Sequence, residues 1–259
     1  MATTRFYIPN LGLGETALPD DQDHHARHVL RMRDGETVIA FNGRGFWATG
    51  RLVIGRRESR FITAGPLRQD LPPRVRVTVA SATPKADRAM QMVEQLSQIG
   101  VQRLVWLNTE FAVVHPDKEG GKMAKFRRAA AESAKQCGRN FVMEIDGPVA
   151  LVDLLSQAGA DTNDFLWGQP TAEKSIFEWL IKTADLKAAV DGHISTDGGK
   201  PASYAPTVLI GPEGGWSDTE TRLLSADHRV HAVRLTSTVL RMETAAVVAA
   251  AIISCAAGN

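Results

Sequence analysis

The sequence predicts an α/β protein built on a parallel sheet, preceded by a small β-rich domain that reads as a barrel. Three observations carry this. Short strand-like runs separated by glycine turns fill the first seventy residues. Gly65-Pro66 and Pro72-Pro73 then bracket a linker. After Pro73, apolar β-branched runs alternate with segments of helical spacing, the pattern of right-handed βαβ crossovers. The expected domains are 1–70 and 74–259.

In the first domain, Asp20–Arg31 reads as a short helix. Thr37–Asn42 is a strand, Gly43-Arg44-Gly45 a hairpin turn and Phe46–Ile54 the partner strand. In the second, Val75–Ala80 is a continuous apolar run, as a strand buried on both faces requires. Lys85–Ile99 has Met92, Leu96 and Ile99 on one helical stripe, with Gly100 as its stop. Arg103–Leu107 is the next strand and Lys122–Arg139 a helix. Phe165–Trp167 (strand), Ala172–Val190 (helix) and Val208–Ile210 (strand) follow. Asp218–Ser225 (helix), Val230–Leu235 (strand) and Arg241–Cys255 (helix) complete the order. Gly192–Tyr204 is expected to be a long surface loop.

With 259 residues, 44% hydrophobic and 23% charged, the chain has ordinary globular composition and enough length to bury a core. A formal net charge of +1 neither supports nor excludes nucleic acid, because recognition needs a local patch. Lys122–Arg139 carries six basic residues against one acidic, and Arg51, Arg56, Arg57 and Arg60 form a second cluster. Each reads either as a solvated face or as a phosphate-facing surface. Cys137 and Cys255 are far apart and form no CxxC, so neither a disulfide framework nor a zinc site follows. The N-terminus has no signal-peptide pattern, and Ala245–Ala257 is too short to cross a bilayer. A cytoplasmic chain is expected.

The sharpest motif is VLIGPEGGWS, Val208 to Ser217: a buried strand, a glycine-rich turn and a helix start, with Ser217 and Glu220 spaced as a capping box. Ligands bind at the carboxyl ends of strands in open α/β sheets, but a tight β-to-α connection would look the same. The turn is neither GxGxxG nor a Walker A sequence, which disfavours dinucleotide and nucleoside-triphosphate chemistry. S-adenosylmethionine carries no phosphate; it needs an apolar adenine slot and backbone hydrogen bonds, which a bent glycine loop can offer.

The second motif is LTSTVLRMETA, Leu235 to Ala245. Glu243 near a helix N-terminus is favourable by dipole alone, whereas Arg241 there is unfavourable and so the better functional candidate. The third is HHARHVLR, His24 to Arg31. Its histidines lack the companions of a metal site, so no metal is expected. The helix either presents His25, Arg27 and Arg31 to phosphate or is a solvated face. Trp47 and Trp106 read as core. There is no GxSxG or HExxH, so hydrolase readings have little support.

Together HHARHVLRMRDGE, TPKADRAMQMVEQLSQIGV, AAAESAKQCGRN, LIGPEGGWSDTE and VLRMETAAVVAAA resemble the RsmE family of 16S rRNA (uracil-N3)-methyltransferases, within the SPOUT superfamily. The resemblance spans nearly the whole chain. It implies a PUA-like N-terminal barrel, a SPOUT domain with a C-terminal trefoil knot, a homodimer, and S-adenosylmethionine held in the knot. It places the cofactor at Gly168, Leu209, Ile210, Gly211, Pro212, Glu213, Gly214, Gly215, Leu235, Thr238, Val239 and Leu240. The sequence departs from the family pattern at Gln98, Phe111, Met143 and Thr236. A β-branched residue at positive φ would cost roughly 1–2 kcal/mol, so Thr236 is expected at negative φ.

The reaction implied is methyl transfer to N3 of a uridine in 16S rRNA, free or in the assembled small subunit. Arg241 would stabilise negative charge on a uracil carbonyl oxygen, and Glu243 would position the base or accept its proton. RNA would be held by His25, Arg27 and Arg31 of the barrel and by Arg128, Lys135 and Arg139 of the basic helix. Two alternatives remain at this level: a different base or ribose target, and a non-catalytic RNA-binding or ribosome-assembly protein.

Overall fold

The computed structural model describes residues 3–85, 87–116, 120–157, 164–191 and 204–258. The chain divides into two compact units. One holds Met1–Pro72 with Ala131–Val142, the other Pro73–Ala130 with Met143–Asn259.

The first unit contains β1 (Arg5–Tyr7), β2 (Glu15–Ala17), α1 (Asp20–His24), β3 (Thr37–Phe41), β4 (Phe46–Ile54), β5 (Ser59–Thr63) and β6 (Arg68–Gln69). Its sheet runs β1-β3-β4-β5-β2, with β6 also paired to β4. Inward positions alternate along each strand: Val38 and Ala40, Ala48 and Leu52, and Phe61 join Phe6 and Ala26 in one core. The β3–β4 turn forms where expected. Gly43 and Gly45 take φ of 76° and 92°, and the Asn42 side chain accepts from the amides of Arg44 at 2.8 Å and Phe46 at 3.1 Å. The expected helix to Arg31 is shorter and looser. α1 passes into a π-helical turn over His25–Val29, where the Leu30 amide donates to the His25 carbonyl at 2.9 Å. Arg31 ends it at φ 53°.

The segment 131–142, expected to belong wholly to the second domain, packs with the first unit. The reason is backbone pairing with the glycine turn. The Gly45 amide donates to the Asn140 carbonyl at 2.9 Å, and the Val142 amide to the Gly43 carbonyl at 3.0 Å. Glycine is required for this approach: a Cβ on Gly45 would lie 2.6 Å from Phe141. The supposed linker likewise contains β6.

The second unit contains β7 (Thr78–Ser81), α2 (Asp87–Ile99), β8 (Arg103–Asn108), the first part of α3 (Gly121–Cys137), β9 (Glu144–Ala150), α4 (Leu151–Gln157), β10 (Phe165–Gly168), α5 (Ile176–Leu180), α6 (Ala184–Asp191), β11 (Thr207–Ile210), α7 (Asp218–Ala226), β12 (Val230–Val233) and α8 (Met242–Ala256). The sheet order is β12-β10-β11-β7-β8-β9, and every neighbouring pair is parallel. All six carboxyl ends therefore lie along one edge. Ala80, Val105, Phe165, Trp167 and Leu209 form its core with Leu224 of α7. On α8, Ala246, Ala249 and Ala250 have no exposed surface, the small side chains that close packing against α2 requires.

Three readings differ here. β9 and α4 were not anticipated, because Gly147 and Pro148 are poor strand formers; β9 is an edge strand, where proline is tolerated. The expected helix Ala172–Val190 is two helices. Ser175 starts the first with a capping box to Glu178, and the chain leaves helical geometry between Leu180 and Ala184. Residues 192–203 of the expected loop lie outside the described residues, while Tyr204 is fully buried and bridges to Val75. Trp106 is core as expected. Trp47 is half-buried, with its indole N–H donating to Asp70. No described helix is long and apolar enough to cross a membrane.

Candidate functional site

The parallel order places the carboxyl ends of β12, β10 and β11 side by side, and the segments leaving them converge with the N-terminus of α8. Between them lies a cavity of about 460 Å³, within the range of small-molecule sites. Gly168-Gln169-Pro170 leaves β10 and Ile210-Gly211-Pro212-Glu213 leaves β11 on its wall. Leu235, Thr236, Thr238, Val239 and Leu240 form the segment opposite, and Arg241, Met242 and Ala245 belong to the start of α8.

Local chemistry fixes each wall. The glycine loop turns where the Gly215 amide donates to the Pro212 carbonyl at 2.9 Å, with Gly215 at φ 79°. Trp216 folds back over Gly211, where an added Cβ would lie 2.6 Å from the indole nitrogen. Ser217 then caps α7 with the expected box, accepting from the Glu220 amide while Glu220 accepts from the Ser217 amide at 2.9 Å. The other oxygen of Glu220 accepts from the Glu110 amide at 3.0 Å, tying the turn after β8 to α7. Thr236 closes the opposite segment by donating to the Thr238 carbonyl at 2.7 Å. Among the described residues Arg31 alone is a non-glycine at positive φ, so Thr236 adopts the expected negative φ.

Arg241 is the N-cap of α8 and makes no side-chain capping bond. It is exposed on the cavity wall, and no carboxylate lies within ion-pair distance of it among the described residues. A cation at the positive end of a helix, aimed into a cavity, is poised for an anion or a partly negative oxygen. Glu243, two residues on, does not line the cavity. It is turned towards α2, with Oε1 3.6 Å from Arg88, and its buried Oε2 has no partner among the described residues.

Ten of the twelve expected cofactor positions line the cavity: Gly168, Ile210, Gly211, Pro212, Glu213, Gly215, Leu235, Thr238, Val239 and Leu240. Leu209 does not, because it is sealed in the core with no exposed surface. Gly214 does not either; its open side faces Phe111, whose Cβ would be 3.1 Å from an added methyl. Sequence reasoning missed Gln169, Pro170, Trp216, Thr221, Thr236, Met242 and Ala245. Extending the strand-end rule by two residues finds Gln169 and Pro170, and helical spacing from Arg241 finds Ala245. Thr221 carries no such signal.

The expected RNA contacts fare unevenly. Arg31 and Arg128 are exposed. Arg27 is spent internally, donating to Asp23 at 2.7 Å, to the Ser59 hydroxyl at 3.1 Å and to the Gly55 carbonyl at 2.7 Å. Lys135 is largely buried, donating to Gln22 and Glu132 at 3.0 Å each. His25 is held below its ordinary pKa by burial and by Lys135, so it favours the neutral form, a poor phosphate ligand. Arg139 is half-buried, and burial lowers its pKa. Within the first unit, Arg27 and Lys135 are therefore engaged by protein partners. Among the described residues no cluster of three or more His, Cys, Asp or Glu could hold a metal ion.

Comparison with known proteins bears on this geometry. The pattern of the RNA methyltransferase domain family matches residues 71–254, and that of the RNA methyltransferase PUA domain matches residues 18–61. The chain is 27% identical to the ribosomal RNA small subunit methyltransferase E of Mycobacterium bovis, over 96% of this chain and 90% of that one. A Legionella pneumophila methyltransferase structure with bound S-adenosylmethionine matches with a TM-score of 0.81 at 26% identity, covering 99% of this chain and 98% of that chain. A ribosomal RNA small subunit methyltransferase E from Neisseria gonorrhoeae, at 23% identity and 96% coverage of both chains, shares the fold with a TM-score of 0.78.

Proposed function

The chain belongs to the RNA methyltransferase family matched over residues 71–254, and from that premise we propose that it methylates N3 of a uridine in 16S rRNA of the small ribosomal subunit, using S-adenosylmethionine. The observation that carries this reading is the cavity at the carboxyl ends of β10 and β11, with Arg241 on its wall.

The residues present fit the cofactor. Ile210, Leu235 and Leu240 offer an apolar slot for a purine, and the backbone leaving β10 and β11 offers hydrogen bonds along its edge. When bound, S-adenosylmethionine supplies an electrophilic methyl group on a sulfonium. The chain's part is to hold the uracil with N3 in line with that methyl, which contributes through alignment. N3 must first lose its proton, to solvent, to become a nucleophile. Arg241 stabilises the negative charge that then develops on a flanking carbonyl oxygen. Glu243, held beside Arg88 rather than in the cavity, orients the first turn of α8 on which Arg241 sits.

The fuller reading includes a PUA-like barrel in the first unit, a trefoil knot in the C-terminal chain around the cofactor, a homodimer, and action in the cytoplasm on rRNA or the assembled subunit. The test is calorimetric titration with S-adenosylmethionine, followed by mass mapping of nucleosides from rRNA treated with the protein. Saturable binding and 3-methyluridine support the proposal. Binding with a different methylated nucleoside corrects the target. Absence of binding with and without RNA refutes it.

A further inference from the structure

Removing Arg27, Lys135 and His25 from the expected RNA contacts leaves the first unit without a phosphate-facing helix. α1 is also acidic, with Asp20, Asp21 and Asp23 in its first turn. The outward face of the sheet has the opposite character. Directly paired residues share a face, and the register aligns Thr37, Arg51 and Ile62 in one row. Phe41, Trp47 and Arg68 form a second row, in which Phe41 is covered by Tyr7 and Arg5 and only Trp47 and Arg68 reach the surface, and Val53 with Arg60 form a third. The alternate residues Ala48, Gly50, Leu52 and Phe61 point inward and are buried.

On this outward face Arg51, Arg60 and Arg68 are exposed. Arg60 is neutralised by Glu15 at 2.9 Å and by Glu58 at 2.5 Å. Neither Arg51 nor Arg68 has an ion-pair partner among the described residues. Arg68 lies over the ring of half-buried Trp47, 4.9 Å from its centroid, and Asp70 accepts from the indole N–H at 3.0 Å to fix the ring. A guanidinium stacked on an anchored indole offers a flat cationic surface, and unpaired bases stack on such planes. Every cation in residues 1–72 is arginine and none is lysine, the choice suited to bidentate phosphate contact and stacking.

We propose that the outward face of the β3-β4-β5 sheet, with Arg51 on its middle row and the Trp47–Arg68 stack at its end, is the surface on which the first unit holds RNA, Arg51 meeting phosphate and the stack taking an unpaired base. It rests on the RNA methyltransferase reading, and replaces the helix Asp20–Arg31 as the RNA-facing element of this unit.

The test uses the full-length chain and a fluorescent small-subunit rRNA hairpin with an unpaired loop. Anisotropy titrations across a salt series compare the native protein with Arg51→Glu/Arg68→Glu, Trp47→Leu, Trp47→Tyr and Arg31→Glu, while calorimetry records S-adenosylmethionine affinity for each. Affinity is expected to fall at least tenfold in the double variant, with the log–log salt slope shallower by roughly 0.7–0.9, the contribution of the one phosphate that Arg51 meets. Trp47→Leu weakens binding and Trp47→Tyr restores it, while Arg31→Glu stays within about twofold of native. Unchanged RNA affinity in the double variant, with cofactor affinity intact, overturns the surface and leaves the methyltransferase reading standing. RNA affinity that responds as described in a protein that never binds cofactor upholds the surface and overturns that reading.

Discussion

Arg241 and Gly211 make the site's demands most concrete. Arg241→Ala is expected to lower the single-turnover methylation rate about a hundredfold, the usual loss of a group that meets developing negative charge. Cofactor affinity by calorimetry should change little, and an unaltered rate would remove Arg241 from the chemistry. Gly211→Val forces a side chain into Trp216, whose indole nitrogen is 2.6 Å from the nearest possible Cβ. The displaced indole should cost about tenfold or more in S-adenosylmethionine affinity; native affinity would place the cofactor elsewhere. The place of Arg241 on the cavity wall was legible in the sequence because a cation at a helix start runs against the dipole and needs a reason. Leu209 was not, because β11 is buried on both faces and no periodicity says which of its residues turns to the cavity. Glu243 was misjudged for a related reason: two residues of helical rotation carry it from the cavity to α2, and Arg88 is more than a hundred residues away in the chain.

At the scale of elements, α1 is anchored to β5 by one carboxylate. Asp23 accepts from the Ser59 amide at 2.8 Å and from Arg27 at 2.7 Å. Burial pushes its pKa up, but hydrogen bonds from Ser59 and Arg27 outweigh this and hold it below the ordinary value. A depressed carboxylate contributes stability above its unfolded pKa and loses it as pH falls through the folded value. Asp23→Asn should therefore cost about 1–2 kcal/mol at neutral pH. The gap to native should shrink below about pH 4. Denaturant melts at pH 7 and pH 3 check this, and a gap independent of pH would refute the anchor. The strands and most helices of the parallel sheet were legible because periodicity and stop signals agreed. The exceptions were β9, hidden by a proline that only an edge position excuses, α4 directly after it, the break between α5 and α6, and, in the first unit, the π-helical turn after α1, which shares its side-chain pattern with an ordinary helix.

For the whole molecule, the division at Pro72–Pro73 was legible from composition, but the return of 131–142 to the first unit was not. Nothing in the segment Lys135 to Asn140 announces a backbone partner almost a hundred residues earlier; only the glycine turn at Gly43–Gly45 shows where that partner fits. A fragment of residues 1–72 should therefore lack a cooperative thermal transition by circular dichroism, and covalent attachment of 131–142 should restore one. A cooperative melt of the short fragment would show that the returning segment is dispensable.

The same return has a consequence during synthesis. Residues 1–72 leave the ribosome before residues 131–142, and the piece that completes their unit follows about seventy residues later. At roughly 5–20 residues per second that is a wait of about 4–14 s. Through that interval the nascent unit is unfinished, with the turn at Gly43–Gly45 open to chaperones, so its folding is timed by translation of the methyltransferase region rather than by its own length.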